Sequence, residues 1–217
     1  MVCINVCSID EITDENMEIL LSVMSEEQKE KIMHYRFEGD RHRCLIGLAL
    51  TGMVFGKRPC ELKTVLGEHE KPFVMNGGGI HYNLSHSGKY VAIASGGSSL
   101  GIDIEKAGRI KNNIAKRFFS PRENIEYRRY SEKDGDFFCR MWTLKESYIK
   151  YDGRGLTLPL NSFSILPKGG GYYMEDSRLK FRQFDMPDGY IMSVCSEEEI
   201  ESAWNSVSVK RLCENFI

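Results

Sequence analysis

The sequence predicts an α+β fold, and three observations carry that expectation. Helical patterns with recognisable caps sit beside short β-rich runs. Glycine-rich and proline-containing turns separate those runs. The same mixture recurs in both halves of the 217-residue chain.

A short strand opens the chain, and Asn16 to Met24 is helical in pattern. Ser25 and Gln28 have capping-box spacing, so a second helix is expected to start there. A third should run from about Asp40 to Phe55, with Leu45, Leu48 and Ala49 on one apolar stripe and Gly56 suited to a left-handed C-terminus. Asn76-Gly77-Gly78-Gly79 reads as a turn, and His86 as a loop histidine just ahead of a buried strand, Tyr90 to Ser95. Gly96-Gly97-Ser98-Ser99 turns the chain into the next strand, Leu100 to Glu105.

Ser120-Pro121-Arg122-Glu123 supplies a cap, a proline at N1 and a glutamate at N3, which marks a further helix start. A longer helix is expected over Asp136 to Tyr151. The tail reads as a meander with strands near Ser162–Leu166, Tyr172–Glu175, Leu179–Phe184 and Tyr190–Cys195. Its turns are Lys168-Gly169-Gly170-Gly171 and Pro187-Asp188-Gly189. No sequence repeat between the halves is apparent.

Composition narrows the function. A formal net charge of −2 gives the chain no general attraction to nucleic acid or an acidic membrane, so any anion site must be local. The pairs Arg128-Arg129 and Lys210-Arg211 lack the interleaved aromatics of a single-strand binding surface. The seven cysteines are scattered and form no CxxC pair, which fits a reduced cytoplasmic protein without structural zinc or disulfides. No signal peptide and no membrane-spanning run is expected.

Three carboxylates stand out. Asp103 and Glu105 are two apart on an expected strand, so both point to one face. Like charges there need solvent or a cation. Glu146 lies in Trp142-Thr143-Leu144-Lys145-Glu146-Ser147-Tyr148-Ile149-Lys150, where positions 142, 146 and 150 share a helical face. Spacing alone leaves several readings open. The strand pair could be a solvated face, Glu146 and Lys150 a surface ion pair, or Thr143 a helix cap with Glu146 at N3. The other reading is a magnesium site, because Mg²⁺ takes oxygen ligands and bridges a few carboxylates to substrate phosphates.

In order and spacing, Gly101-Ile102-Asp103-Ile104-Glu105, then Trp142 to Lys150, then Gly153-Arg154-Gly155-Leu156 resembles the surfactin-synthetase-activating type of 4′-phosphopantetheinyl transferase. Asn83-Leu84-Ser85-His86-Ser87-Gly88 is similar to a further motif of that family, as are Arg117-Phe118-Phe119-Ser120 and Leu156-Thr157-Leu158-Pro159-Leu160. The resemblance covers about Ser25 to Cys195.

It implies two similar α+β halves related by a pseudo-twofold axis, with coenzyme A in the cleft between them. Residues 1–101 would form the nucleotide-binding half, and residues 102–217 the half with the metal site and carrier docking. The implied reaction moves the phosphopantetheine arm of coenzyme A to a serine of an acyl or peptidyl carrier protein and releases adenosine 3′,5′-bisphosphate. Mg²⁺ would serve it, with Mn²⁺ as a substitute, and the protein would act as a monomer.

By position, Asp103, Glu105 and Glu146 match the metal ligands. Lys150 matches a lysine on the coenzyme A phosphates, and Ser85 and His86 match residues that hold the nucleotide's phosphates. Arg43 matches an arginine near the 3′-phosphate, Lys71 the lysine of a Gly-Lys-Pro segment, and Lys31 one of the lysines ahead of the first arginine-rich stretch. Glu146 or a metal-bound water is the expected base for the serine proton, with Glu123 as the alternative. Two departures are visible: the segment reads Glu70-Lys71-Pro72, and Gln28 stands where a lysine is common. His34, His42, His69 and His81 have no ligand spacing. The same carboxylates would also suit a metal-dependent nucleotide pyrophosphate hydrolase, and a non-catalytic module binding coenzyme A or a carrier is a third reading.

Overall fold

The computed structural model describes all residues except 68–70, 76, 109–114 and 176, so His69, Glu70 and Asn76 lie outside the described residues. The first half runs β1 (Cys3–Ser8), α1 (Asp14–Ser22), α2 (Glu26–His34), α3 (Glu38–Phe55), β2 (Thr64–Leu66), β3 (Pro72–Val74), β4 (His81–Ser87) and β5 (Tyr90–Gly96). The second half repeats that order: β6 (Leu100–Lys106), α4 (Ala115–Phe118), α5 (Pro121–Tyr130), α6 (Phe137–Asp152), β7 (Leu166–Lys168), β8 (Gly171–Tyr173), β9 (Lys180–Met186) and β10 (Tyr190–Ser196). Then β11 (Asn205–Ser206) and α7 (Val209–Glu214) carry the chain back to the first half. The architecture is the expected α+β one.

The repeat extends to the sheets. In the first half the order is β11-β1-β5-β4, and in the second it is β6-β10-β9. Each half also has a small hairpin, β2-β3 or β7-β8. Strands β5 and β6, consecutive in the chain, belong to different sheets. Gly96-Gly97-Ser98-Ser99 is therefore a crossover between sheets, because β6 pairs antiparallel with β10, Asp103 opposite Ser193.

Helix ends follow the sequence closely. Ser25 and Gln28 form a complete capping box on α2, as do Ser120 and Glu123 on α5. Gly56 and Gly153 adopt the left-handed conformation that stops α3 and α6. Some expectations need correction. His81–Ser87 is a strand, so His86 is not in a loop. The segment expected as strand Ser162–Leu166 begins with a 3₁₀ turn at Leu160–Ser162, and β7 starts only at Leu166. Thr143 lies inside α6 and caps nothing; its hydroxyl donates to Arg140 O at 3.1 Å.

Alternation along the strands builds the core in layers. Cys7, Val91 and Ile93 face the helices α1, α2, α3 and α7. Ile4, Val6, Ala92 and Ala94 face the second sheet, where they meet Ile102, Ile104, Met192 and Val194. A third cluster joins α6 to α5 through Phe119, Phe138, Met141 and Leu144. With Ile102 and Ile104 committed to the inter-sheet core, Gly101, Asp103 and Glu105 are left to face α6.

Candidate active site at the seam between the halves

A cavity of about 370 Å³ opens where β4, β6 and α6 meet. Leu84, Ser85 and His86 line it from the first half, and Asp103, Glu105, Trp142, Glu146 and Lys150 from the second. The helix can approach this closely because position 101 has no side chain. A Cβ there would lie 2.0 Å from Ser147 O and 2.5 Å from Tyr151 N. Trp142, Glu146 and Lys150, four residues apart, then project along one face of α6 into the cavity.

The β4–β6 contact explains how the carboxylates are held. Asn83 Oδ1 accepts from Ile102 N at 3.0 Å, and Ser85 Oγ accepts from Ile104 N at 3.3 Å. Side chains thus satisfy backbone groups that a neighbouring strand would otherwise pair. Ser85 Oγ also donates to Asp103 Oδ1 at 2.9 Å, and Ser87 Oγ donates to Glu105 Oε2 at 2.8 Å. Lys150 Nζ donates to Asp103 Oδ1 at 2.7 Å and to Ser85 Oγ at 2.9 Å. Ser85 therefore uses its donor and both acceptor sites on this seam.

The electrostatics are those of crowded negative charge. Glu146 is pushed up to about 7, first by burial, then by Asp103, with Lys150 opposing and Glu105 reinforcing the rise. The exposed His86 is pushed down by its partial burial and by the positive charges of Arg43 and Lys150. Asp103 Oδ2 is buried with no hydrogen-bond partner. An orphaned carboxylate oxygen next to two further carboxylates fits a hard divalent cation with oxygen ligands. Among the described residues, no three His, Cys, Asp or Glu side chains are gathered tightly enough to hold a metal by themselves. A hard divalent ion also takes substrate oxygens and waters, so protein carboxylates alone need not close its shell.

Other residues singled out by sequence lie elsewhere. Arg43 is near His86, but its guanidinium donates to Gly88 O at 2.6 Å and Asp40 Oδ1 at 2.5 Å. Lys31 is exposed on α2. Lys71 does not line the cavity; its ammonium donates to Ser99 Oγ, Leu100 O and Tyr151 O at 3.1–3.2 Å. Glu123 is 0% exposed and does not line the cavity. Its carboxylate takes Lys145 Nζ at 2.7 and 2.6 Å, Ile165 N at 2.8 Å and Ser120 N at 2.8 Å. A carboxylate so enclosed has no access to a substrate proton.

Sequence reasoning missed Ser87 and the cavity-facing position of Trp142. The polar alternation Asn83, Ser85, Ser87 was the available signal.

The model of the 4′-phosphopantetheinyl transferase superfamily matches residues 99–195, and that of the N-terminal part of 4′-phosphopantetheinyl transferases matches residues 11–98. The chain is 34% identical to the 4′-phosphopantetheinyl transferase Sfp of Bacillus subtilis (strain 168), covering 85% of this chain and 87% of that one. It is also 34% identical to the 4′-phosphopantetheinyl transferase gsp of Aneurinibacillus migulanus, over 96% of this chain and 92% of that protein.

Proposed function

The chain belongs to the 4′-phosphopantetheinyl transferase superfamily, Sfp type, and we propose that the seam cavity is where it transfers the phosphopantetheine arm of coenzyme A to a carrier-protein serine. The observation that carries this placement is the convergence of Asp103, Glu105, Glu146 and Lys150 in one cavity from a strand and a helix. A base, a cation and a set of oxygen ligands within one site are what a phosphoryl displacement needs.

In this reading Asp103, Glu105 and Glu146 would hold Mg²⁺, or Mn²⁺ in its place. The ion would neutralise the pyrophosphate and the charge that develops in the displacement. Lys150 binds phosphate oxygens from the same helix face, one turn beyond Glu146. His86 and Ser85 line the first-half wall, on the side proposed for the nucleotide, with Arg43 behind His86 and Lys31 further out on α2. The carrier serine oxygen forms a bond to the β-phosphorus. The bond from that phosphorus to the bridging oxygen breaks, and adenosine 3′,5′-bisphosphate leaves. Glu146 takes the serine proton.

In the same reading residues 1–101 bind the nucleotide, and residues 102–217 supply the metal ligands and dock an acyl or peptidyl carrier. One chain contributes every residue of the site, so a monomer suffices. A cytoplasmic location is supported by seven free thiols. No helix among the described residues is long and apolar enough to cross a membrane.

The test is incubation with Mg²⁺, coenzyme A and several apo carrier proteins, read by intact-mass spectrometry. The expected result is a gain of one phosphopantetheine group on the carrier, lowered at least about a hundredfold in rate by Glu146→Ala. Free phosphopantetheine with unmodified carrier would instead identify a pyrophosphate hydrolase. Coenzyme A binding without turnover would identify a binding module.

A further inference from the structure

Helix α6 carries Trp142, Glu146 and Lys150, and its last turn is held by a residue from the other half of the molecule. The final carbonyls of a helix have no partner within it. At the end of α6, Gly153 N donates to Ile149 O at 2.9 Å, and Tyr151 O accepts from outside the helix. Two donors reach it: Lys71 Nζ at 3.2 Å and Ser99 Oγ at 3.0 Å. Lys71 also ties the start of β6 to the same point, through Leu100 O at 3.1 Å and Ser99 Oγ at 3.2 Å. A Cβ on Gly153 would touch Lys71 Cδ at 3.7 Å, so the lysine stem runs directly over the helix stop.

We infer that Lys71 is a positioning residue: its ammonium caps the C-terminal end of α6 and fixes Glu146 and Lys150 over β6, rather than binding a phosphate of the nucleotide. Charge and geometry agree on this. An ammonium at a helix C-terminus meets the negative end of the helix dipole. All three acceptors lie along the β6–α6 junction, and one of them, Tyr151 O, is the carbonyl next to Lys150. If the last turn frays, Lys150 loses the fixed backbone from which it reaches Asp103 Oδ1. Lys71 comes from the strand-bearing hairpin of the first half, so the cap also couples the two halves at the site.

The test compares Lys71→Met and Ser99→Ala with the unmodified protein, using coenzyme A and 3′-dephospho-coenzyme A as donors. Positioning predicts that Lys71→Met lowers kcat about tenfold with both donors alike and leaves KM for coenzyme A within about twofold. Amide exchange at the last turn of α6 and at Gly153 should speed up about tenfold. Ser99→Ala removes one of the two donors and should shift the same amides in the same direction by about threefold. A nucleotide ligand gives a different pattern. Lys71→Met would then raise KM for coenzyme A alone, shrinking its advantage over the dephospho donor tenfold or more. That result, or unchanged exchange at the end of α6 in both variants, overturns the inference. Should Lys71→Met not fold, exchange in Ser99→Ala alone decides. The turnover arm rests on the transferase reading; the exchange arm needs no turnover, so it decides the role of Lys71 even if no carrier is modified.

Discussion

The two halves share an order of elements but differ at the outer edge of their first strand. In the first half, β1 has backbone partners on both sides, β5 and β11. In the second half, among the described residues, β6 pairs with β10 on one side, and on the other the Asn83 and Ser85 side chains serve its N–H groups. The site is built at the edge closed by side chains. A backbone ladder along that edge would leave nothing free to hold Asp103 and Glu105. A row of short polar side chains satisfies the strand and supplies the hydroxyls on which both carboxylates rest.

The caps differ in the same sense. Gln28 closes its box on Ser25 N at 2.9 Å and donates to Pro59 O at 2.9 Å, all with neutral groups. Its counterpart Glu123 carries a charge into the core and needs Lys145, itself 0% exposed, to meet it. Burial lowers the affinity of Lys145 for its proton, to about 8, and Glu123 opposes that fall. The half that supplies the cavity's carboxylates therefore also carries this buried ion pair.

The contrast can be broken most sharply at the contact between helix and sheet. Gly101→Ala should cost more than about 4 kcal/mol or prevent folding, since its Cβ meets helix backbone. Gly47→Ala in α3 meets only Leu84 and Val91 at ordinary contact distance and should fall within about 1 kcal/mol, on the stabilising side. Urea unfolding of the two variants measures this, and equal effects would mean that both helices pack with similar slack. Next come the caps. Glu123→Gln should cost about 3 kcal/mol by leaving Lys145 buried and unpaired, whereas Glu123→Gln with Lys145→Met should recover much of that loss. Gln28→Ala should cost about 1 kcal/mol. A double variant as unstable as the sum of its singles would refute the coupling. The smallest effect belongs to the edge itself. Ser87→Ala should raise the Mg²⁺ concentration for half-maximal transfer about tenfold. Asn205→Ala on β11, which removes a bond to Ile4 O, should leave that concentration unchanged.

Much of this was legible in the sequence because it is local. The capping boxes, the left-handed glycines after α3 and α6, and the 142–146–150 stripe depend on residues three or four apart. What escaped depends on distant partners. Strand β4 looked like a loop because Asn83, Ser85 and Ser87 are polar, and their polarity is explained only by β6 lying alongside. Lys71 reads in the sequence as a phosphate ligand, and its contact with Tyr151 O, eighty positions on, could not be read there. Glu123 looked available to substrate until Lys145 and Ile165 were found closing over it. The repeat between halves was also invisible, since it resides in the order and pairing of elements rather than in residue identities.

The return of β11 and α7 to the first half sets the order in which the molecule can be finished. Val207, Val209, Leu212 and Phe216 belong to the core that α1 and α3 cover, and β11 borders β1 across two hundred positions. During synthesis the first half emerges before the second, yet its sheet and core wait for a segment that follows the second half. The second half has all its strands by Ser196 and can pair β6 with β10 before then. The half translated earlier is thus completed after the other, and until then β1 presents an open edge to any extended chain nearby.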